Sequence, residues 1–287
     1  MRKFAKDCLV LCVSLVSDML GGNLMNRIMK GKKLVPLAIA AGAMGFSAQV
    51  GLTEGNGGLP FGVAQLYFEL NDTDGDLGFH GLIDGDAWKS LEIEGPNDLV
   101  LLNVWARGSL RRQGMTEIFF ESEEPQFSEL PPAQFFKRFP QGLYDIEAIT
   151  LEDEELEATI RISHVISARP GSLKVNGKVI AKNCDVTLPV VSEPVKLTWS
   201  KPTKSHPTVG TPNVNVSVQQ YQVIGEIARE GQTPDLLIFA VDLPAGATSF
   251  EFPEDFTGMA DGEMKFEIVT KLRNGNQTAV ESCVEIT

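Results

Sequence analysis

The run Asp72-Thr-Asp-Gly-Asp76 is the place in this sequence where residue type and spacing best match a chemical task. A tight turn can aim carboxylates at alternate positions toward one point, and several hard oxygen ligands suit calcium. Asp72, Asp74 and Asp76 are therefore the candidate metal ligands, with Asp84 and Asp86 downstream. The competing reading is a solvated hairpin turn, because Asp and Gly are common turn residues. Other chemistry finds no support in spacing. His80, His164 and His206 do not form a zinc pair, although His80 lies near the acidic run. No Gly-x-Ser-x-Gly elbow and no glycine-rich phosphate loop occurs after residue 48. Acidic pairs such as those in Glu121-Ser-Glu-Glu124 and Glu152-Asp-Glu-Glu155 are plentiful. A glycosidase needs two carboxylates held in a cleft, and abundance does not supply position. The sequence reads as non-catalytic.

Two further groups could recognise a ligand. Arg107, Arg111 and Arg112 form a basic cluster that could hold an anion, or pair with Glu117 and Glu121 across a hairpin with small energetic weight. Trp88 and Trp105 could form an aromatic platform for a sugar. Trp105 stands in an apolar run and reads as core. Trp88, beside Asp84 and Asp86, is the less easily buried of the two.

The elements that must carry these residues are short strands. Leu66, Phe68 and Leu70 alternate with Tyr67 and Glu69; Tyr144, Ile146 and Ala148 with Asp145 and Glu147; Leu156, Ala158, Ile160 and Ile162 with polar neighbours. Period-2 alternation marks half-buried strands. Leu99 to Ala106 is a more fully apolar run, and Leu151 to Glu155 a charged hairpin tip. One short helix is predicted from Pro132 to Phe139, where prolines suit a helix start and Phe135, Phe136 and Phe139 can share a face. Beyond residue 168 the pattern repeats. Asn176-Gly177 signals a tight hairpin, since both positions of such a turn need positive φ. Lys201 to Asn215, rich in Pro, Thr and Ser, reads as a long exposed loop. Regularly spaced short strands predict an all-β protein of two tandem β-sandwiches, over residues 60–167 and 168–287.

Charge and the N-terminus bear on where such a protein works. The chain has 287 residues, 43% apolar, which is ordinary globular composition. Residues 25 to 48 carry a basic cluster, an apolar run from Leu34 to Phe46 and then small residues, the order of a secretory signal. Cleavage after Ala43 or after Ser47 fits equally. A second apolar stretch, Leu9 to Val16, precedes it, and the simplest account is a true start at Met25 or Met29, which would remove Cys8 and Cys12. Residues 1–48 are thus assigned to a signal region. What remains holds 18 basic and 36 acidic residues. Such a surface repels nucleic acid and anionic membranes and favours solubility, divalent cations or basic partners. No later run reaches transmembrane length, so an exported chain without a membrane span is expected. An oxidising compartment permits a disulfide between Cys184 and Cys283. The alternation of Cys283 with Glu281 and Glu285 points it outward, however, and two free thiols are the favoured reading.

Two resemblances follow from quoted motifs. Val195-Lys-Leu-Thr-Trp199 with Pro202, Tyr221-Gln-Val223, Ala247 to Phe252 and Gly262 to Ile268 resemble the second, third, fifth and sixth strands of a fibronectin type III domain, over residues 168 to 287. The family's tyrosine at the start of the sixth strand is replaced here by Met264. Phe139-Pro-Gln-Gly-Leu-Tyr144 resembles the Pro-x-Gly-x-Tyr entry to a late strand of immunoglobulin-like sandwiches. The Asp72–Asp76 run resembles the opening of an EF-hand loop, but Leu77 and Ile83 stand where that loop has its glycine and its glutamate. The whole chain resembles exported bacterial proteins that pair such domains. The resemblance implies binding, adhesion or scaffolding toward a protein or envelope component; the alternative is a calcium-stabilised carbohydrate-binding accessory protein. Fold alone does not decide between them.

Overall fold

The computed structural model describes residues 58–229 and 231–287. The signal region over residues 1–48, with Met25, Met29, Cys8 and Cys12, lies outside the described residues. The described residues are all-β, as two tandem immunoglobulin-like sandwiches.

The first sandwich contains β1 (Leu59–Pro60), β2 (Val63–Asn71), β3 (Asp76–Gly95), β4 (Leu99–Trp105), β5 (Met115–Glu121), β6 (Gly142–Thr150) and β7 (Glu155–Ile162). β3 organises it. Its first half pairs with β2 and β5, and its second half with β4 and β6. The register shifts between Asp84 and Trp88. Such an irregularity bends a strand, and here Leu77, Phe79 and Ile83 before it join Trp88, Leu91 and Ile93 after it in one apolar cluster. The helix predicted at Pro132 is present as Pro132–Arg138 (α2), with Phe135 and Phe136 buried. A second helix, Gly108–Gln113 (α1), interrupts the edge between β4 and β5. It lies between Gly108 (φ +55°) and Gly114 (φ +81°) and has too few residues to show helical periodicity. The same brevity hides Glu254–Thr257 (α3).

The second sandwich sets β14 (Ser249–Glu251), β11 (Lys196–Ser200), β8 (Gly171–Val175) and β9 (Lys178–Val179) against β12 (Val218–Ala228), β13 (Leu236–Pro244), β15 (Glu263–Leu272) and β16 (Gln277–Ile286). Trp199, Tyr221, Val223, Phe266, Ile268 and Val280 lie in its core. The Asn176-Gly177 hairpin forms with φ of 45° and 78°. β10 (Val190–Val191) pairs with the end of β16.

The sandwiches are fused more closely than a tandem arrangement requires. β16 pairs in parallel with β2, Gln277 opposite Glu69 and Ala279 opposite Asn71, so that one 12-stranded sheet runs through both. The segment 201–215, predicted as an exposed loop, folds back on the first sandwich. Val209 and Ser205 are buried there, and the Thr211 N–H donates to the His164 carbonyl at 2.8 Å.

The cysteine expectation is corrected. Cys184 and Cys283 form a disulfide, with Cα atoms 5.0 Å apart. The β10–β16 pairing draws residues 180–189 along the last strand, and the Ser282 hydroxyl donates to the Ala181 carbonyl at 3.0 Å. Cys283 is buried, because β16 is covered on both faces and strict alternation no longer reports exposure.

Candidate functional site

The acidic run at Asp72 forms the turn between β2 and β3, and that turn is docked on β16. Asn71 Oδ1 accepts from the N–H groups of Thr73 (3.0 Å) and Asp74 (3.1 Å), which shapes it. The Asp72 N–H donates to the Ala279 carbonyl at 3.0 Å, and the Thr73 hydroxyl exchanges hydrogen bonds with the Glu281 backbone. Asp72 is held from two sides: His206 Nε2 lies 2.9 Å from Oδ1 and Arg169 Nη1 3.1 Å from Oδ2. The Val209 N–H donates to His206 Nδ1 at 2.9 Å, so the ring's proton sits on Nε2, facing the carboxylate. Asp74 stands in the turn, and Asp76 opens β3 and bridges to Gln126. Asp72, Asp74 and Asp76 are not brought together as a ligand set; the oxygens of Asp72 face His206 and Arg169 instead.

A different group converges one strand away. His80 on β3 sits opposite Glu121 on β5 and opposite Tyr67 on β2. Its Nε2 lies 3.1 Å from Glu124 Oε1, and the Tyr67 ring stacks on it with centroids 5.2 Å apart. Among the described residues, His80, Glu121 and Glu124 are the set of His, Cys, Asp or Glu side chains whose ligand atoms lie within 4.8 Å of one another. Gly78 makes room: a Cβ there would stand 2.1 Å from Glu124 Oε1 and 2.6 Å from His80 Nε2. Ser122 fixes the backbone between the two glutamates, donating its N–H to the Phe79 carbonyl and accepting from the Phe79 N–H, both at 2.9 Å.

Burial and charge set the protonation of this group. Burial disfavours the His80 imidazolium, but the Glu124 hydrogen bond and the charges of Glu69, Glu124 and Glu121 outweigh it and raise the pKa above its ordinary value. Burial pushes Glu121 up to about 6, with His80 opposing and Glu124 and Glu69 adding. Glu69 is raised mainly by burial, and Tyr67 is pushed well up for the same reason. Beyond the β2–β16 seam the pattern continues. Glu267 is pushed up to about 8, first by burial and then by Glu69, while Lys265 pairs with Glu281 at 2.7 Å.

The aromatic candidates exchange roles. Trp88 is wholly buried in the first core, so it cannot form a platform with Trp105. Trp105, which reads as core, is 57% exposed. It ends β4, an outer strand hydrogen-bonded to β3 alone, on which Leu99 and Val100 are also about half exposed at 48% and 50%. Arg107, Arg111 and Arg112 follow directly and are exposed; among the described residues none forms an ion pair with Glu117 or Glu121. Alternation within the apolar run could have raised this possibility, but a run with Asn103 as its one polar residue reads more readily as buried. No described helix is long and apolar enough to cross a membrane.

Fold and surface together define an immunoglobulin-like double sandwich with a seam of buried charge and one apolar open edge. The chain matches no protein-family model and no curated protein. Among solved structures it is similar to a tetra-tandem repeat in the extending region of a large adhesion protein, at 15% identity and a TM-score of 0.26, covering 78% of this chain and 50% of that one. It is similar to trypsin-activated alpha-2-macroglobulin from Escherichia coli at 13% identity and a TM-score of 0.26, over 80% of this chain and 16% of that one. It is also similar to murine CEACAM1b at 12% identity and a TM-score of 0.19, over 78% of this chain and all of that one. The chain thus spans half or less of the first two, and no function is taken from these likenesses.

Proposed function

We propose that this chain is a non-catalytic, extracytoplasmic binding or adhesion module whose ligand is a protein or envelope component. The observation that carries the reading is β4. It joins exposed Leu99, Val100 and Trp105 to a strand edge with no pairing partner among the described residues. Folded proteins ordinarily blunt such edges with charge, proline or a covering element, because unpaired backbone beside apolar side chains recruits another strand. Added-strand recognition uses this combination, main-chain hydrogen bonds for affinity and side-chain pockets for selection. The three arginines beside it favour an acidic segment in the partner. The rigid fusion of the sandwiches suits a module that transmits or resists load, and a disulfide suits an oxidising compartment. The second sandwich is of the fibronectin type III kind on this reading, with Trp199 edge-on to Tyr221 at 5.4 Å in its core.

The test is retention on the envelope fraction of the producing cell, comparing the wild-type chain with a Val100→Lys, Trp105→Ser double variant. Both residues are exposed, so melting temperature should hardly move while retention falls at least about tenfold, the loss of one well-buried anchor. Equal retention of the two proteins would overturn the assignment to β4. Loss of retention on adding soluble glycans, with the double variant unaffected, would favour the carbohydrate reading instead.

A further inference from the structure

We propose that His80, Glu121 and Glu124 form a binding site for one divalent transition-metal cation of the zinc type, which ties β3 to β5 and the residues that follow it, beside the seam between the sandwiches. The proposal does not depend on β4 or on the adhesion reading.

The donor set selects the class of cation. One imidazole nitrogen with carboxylate oxygens suits zinc and its first-row neighbours, whereas calcium and magnesium are held by oxygen alone. Geometry comes next. A tetrahedral site with metal–ligand bonds near 2.0–2.2 Å places its ligand atoms about 3.3–3.6 Å apart. His80 Nε2 and Glu124 Oε1 already lie 3.1 Å apart, and no two of the three ligand atoms are more than 4.8 Å apart. Small rotations of two glutamate side chains close the difference. The fourth position falls to water.

Two independent features point the same way. His80 is wholly buried, and its ring makes its polar contact at Nε2, the atom that faces the carboxylates. Gly78 leaves open the space that any side chain would take from Glu124 and His80 together. Three carboxylates, Glu69, Glu121 and Glu124, crowd one imidazole, and Glu124 has no ion-pair partner among the described residues other than His80. Buried like charges are costly unless compensated. A divalent ion offsets two of them at once, and holding the residues that follow β5 onto β3 would stiffen the strand beside β2, which carries the seam.

The experiment uses the full chain, stripped with chelator and dialysed, then titrated with Zn2+ by calorimetry and with Co2+ by visible absorption. The expected result is one equivalent bound, a rise in melting temperature with Zn2+, and no comparable rise with Ca2+ or Mg2+. Glu121→Gln should weaken binding at least about tenfold while keeping the fold, since it preserves size at a half-buried position. Glu124→Gln serves as the second variant should the first misfold. Asp74→Asn, in the acidic turn, should bind as the wild type does. Absence of binding to the wild type at 100-fold molar excess overturns the proposal. So does unchanged affinity in both glutamine variants, or loss of binding in Asp74→Asn alone, which would move the site to the acidic turn.

Discussion

The two sandwiches solve the same packing problem with different fasteners. The first is closed by a local polar tether: the Tyr144 hydroxyl donates to the Pro140 carbonyl at 2.7 Å, four residues upstream, at the entry to β6. This is the tyrosine corner of immunoglobulin-like sandwiches. Around it the core is crowded with Phe68, Phe79, Phe135, Phe136 and Phe139, the last stacked on Phe79 at 4.7 Å. In the second sandwich Met264, at the start of β15, is wholly buried among apolar neighbours with no such tether. Its fastening is covalent instead, from Cys184 to Cys283 across 99 residues of sequence. The difference teaches that a local hydrogen bond and a long-range disulfide can fill equivalent needs, with opposite demands on the environment. Only the second depends on an oxidising compartment.

The largest effect expected is therefore on the second sandwich under reduction. Closing a loop near 100 residues restricts the unfolded chain by roughly 3–5 kcal/mol in the chain-entropy picture. Cys184→Ala with Cys283→Ala, or reductant, should lower stability by about that amount, seen as an earlier denaturant midpoint from Trp199 fluorescence. Adding reductant to the double-alanine protein should then change nothing. No loss of stability by either route would mean that the disulfide does not fasten the second sandwich, and the contrast drawn above would fail.

The seam tests that coupling directly. Asn276 is buried and spends its whole side chain on the first sandwich: Oδ1 accepts the Phe68 N–H at 3.0 Å, and Nδ2 donates to the Ser163 and Val165 carbonyls at 2.8 and 2.9 Å. Removing it leaves the buried Phe68 N–H and the Ser163 carbonyl short of partners, each costing roughly 1–3 kcal/mol if water cannot reach them, while the Val165 carbonyl keeps the Asn274 amide. Asn276→Ala should cost about 2–4 kcal/mol and separate a single unfolding transition into two, which calorimetry would resolve. A mild, still cooperative loss would show that the β2–β16 backbone pairing couples the sandwiches by itself.

How far the sequence reveals this arrangement depends on range. Alternation locates most strands but not β3, the longest, where the acidic run, four glycines and the shift between Asp84 and Trp88 break the pattern; Asn176-Gly177 gives its hairpin and Pro132 its helix, because these signals are local. The seam is long-range. Asn274-Gly-Asn276 reads as a turn, and it is one, with Gly275 at φ 87°, but nothing local says that its amides reach residues more than 100 positions away. The same holds for His206 and Asp72, and for Cys184 and Cys283. His80 and the pair Glu121 and Glu124 are visible as residues, yet the register of β3 against β5 that makes them neighbours is not. Trp88 and Trp105 mislead because a bend in β3 and an open edge at β4 break the rule that apolar runs are buried.

Buried charge distinguishes the sandwiches a second time and gives the next prediction. Glu267 on β15 sits opposite Glu281 on β16 and is pushed up to about 8, first by burial. The native state therefore keeps a proton that the unfolded chain has released above its ordinary value near 4.5. By linkage, stability falls as pH rises between those limits, and the cost is fully present above about pH 8. Glu267→Gln should leave stability near pH 5 almost unchanged and raise it by roughly 1–3 kcal/mol at pH 9, flattening the profile. Denaturant midpoints across that range decide it. A parallel downward shift at every pH would mean that the carboxylate is needed ionised, for Lys265.

The smallest effect belongs to the tyrosine tether. Tyr144 is wholly buried, and burial pushes its hydroxyl up to about 12, so it is a neutral donor throughout the working range. Tyr144→Phe removes one hydrogen bond and leaves the ring packed against Phe79, at 6.0 Å between centroids. A net loss of about 1 kcal/mol is expected, independent of pH and of reductant. The reciprocal substitution, Met264→Tyr, gives the comparison its sharper form. If the two positions are equivalent, the new hydroxyl needs a carbonyl upstream of β15, and the chain there, Gly258 to Gly262, follows α3 and differs in path from the Pro140 corner. A tyrosine forced into a fully buried methionine site overpacks the core and should cost about 1–3 kcal/mol, even in the disulfide-free protein where a tether would be most useful. Stabilisation of that protein by Met264→Tyr would instead show that the disulfide merely replaced a corner for which the fold still has room.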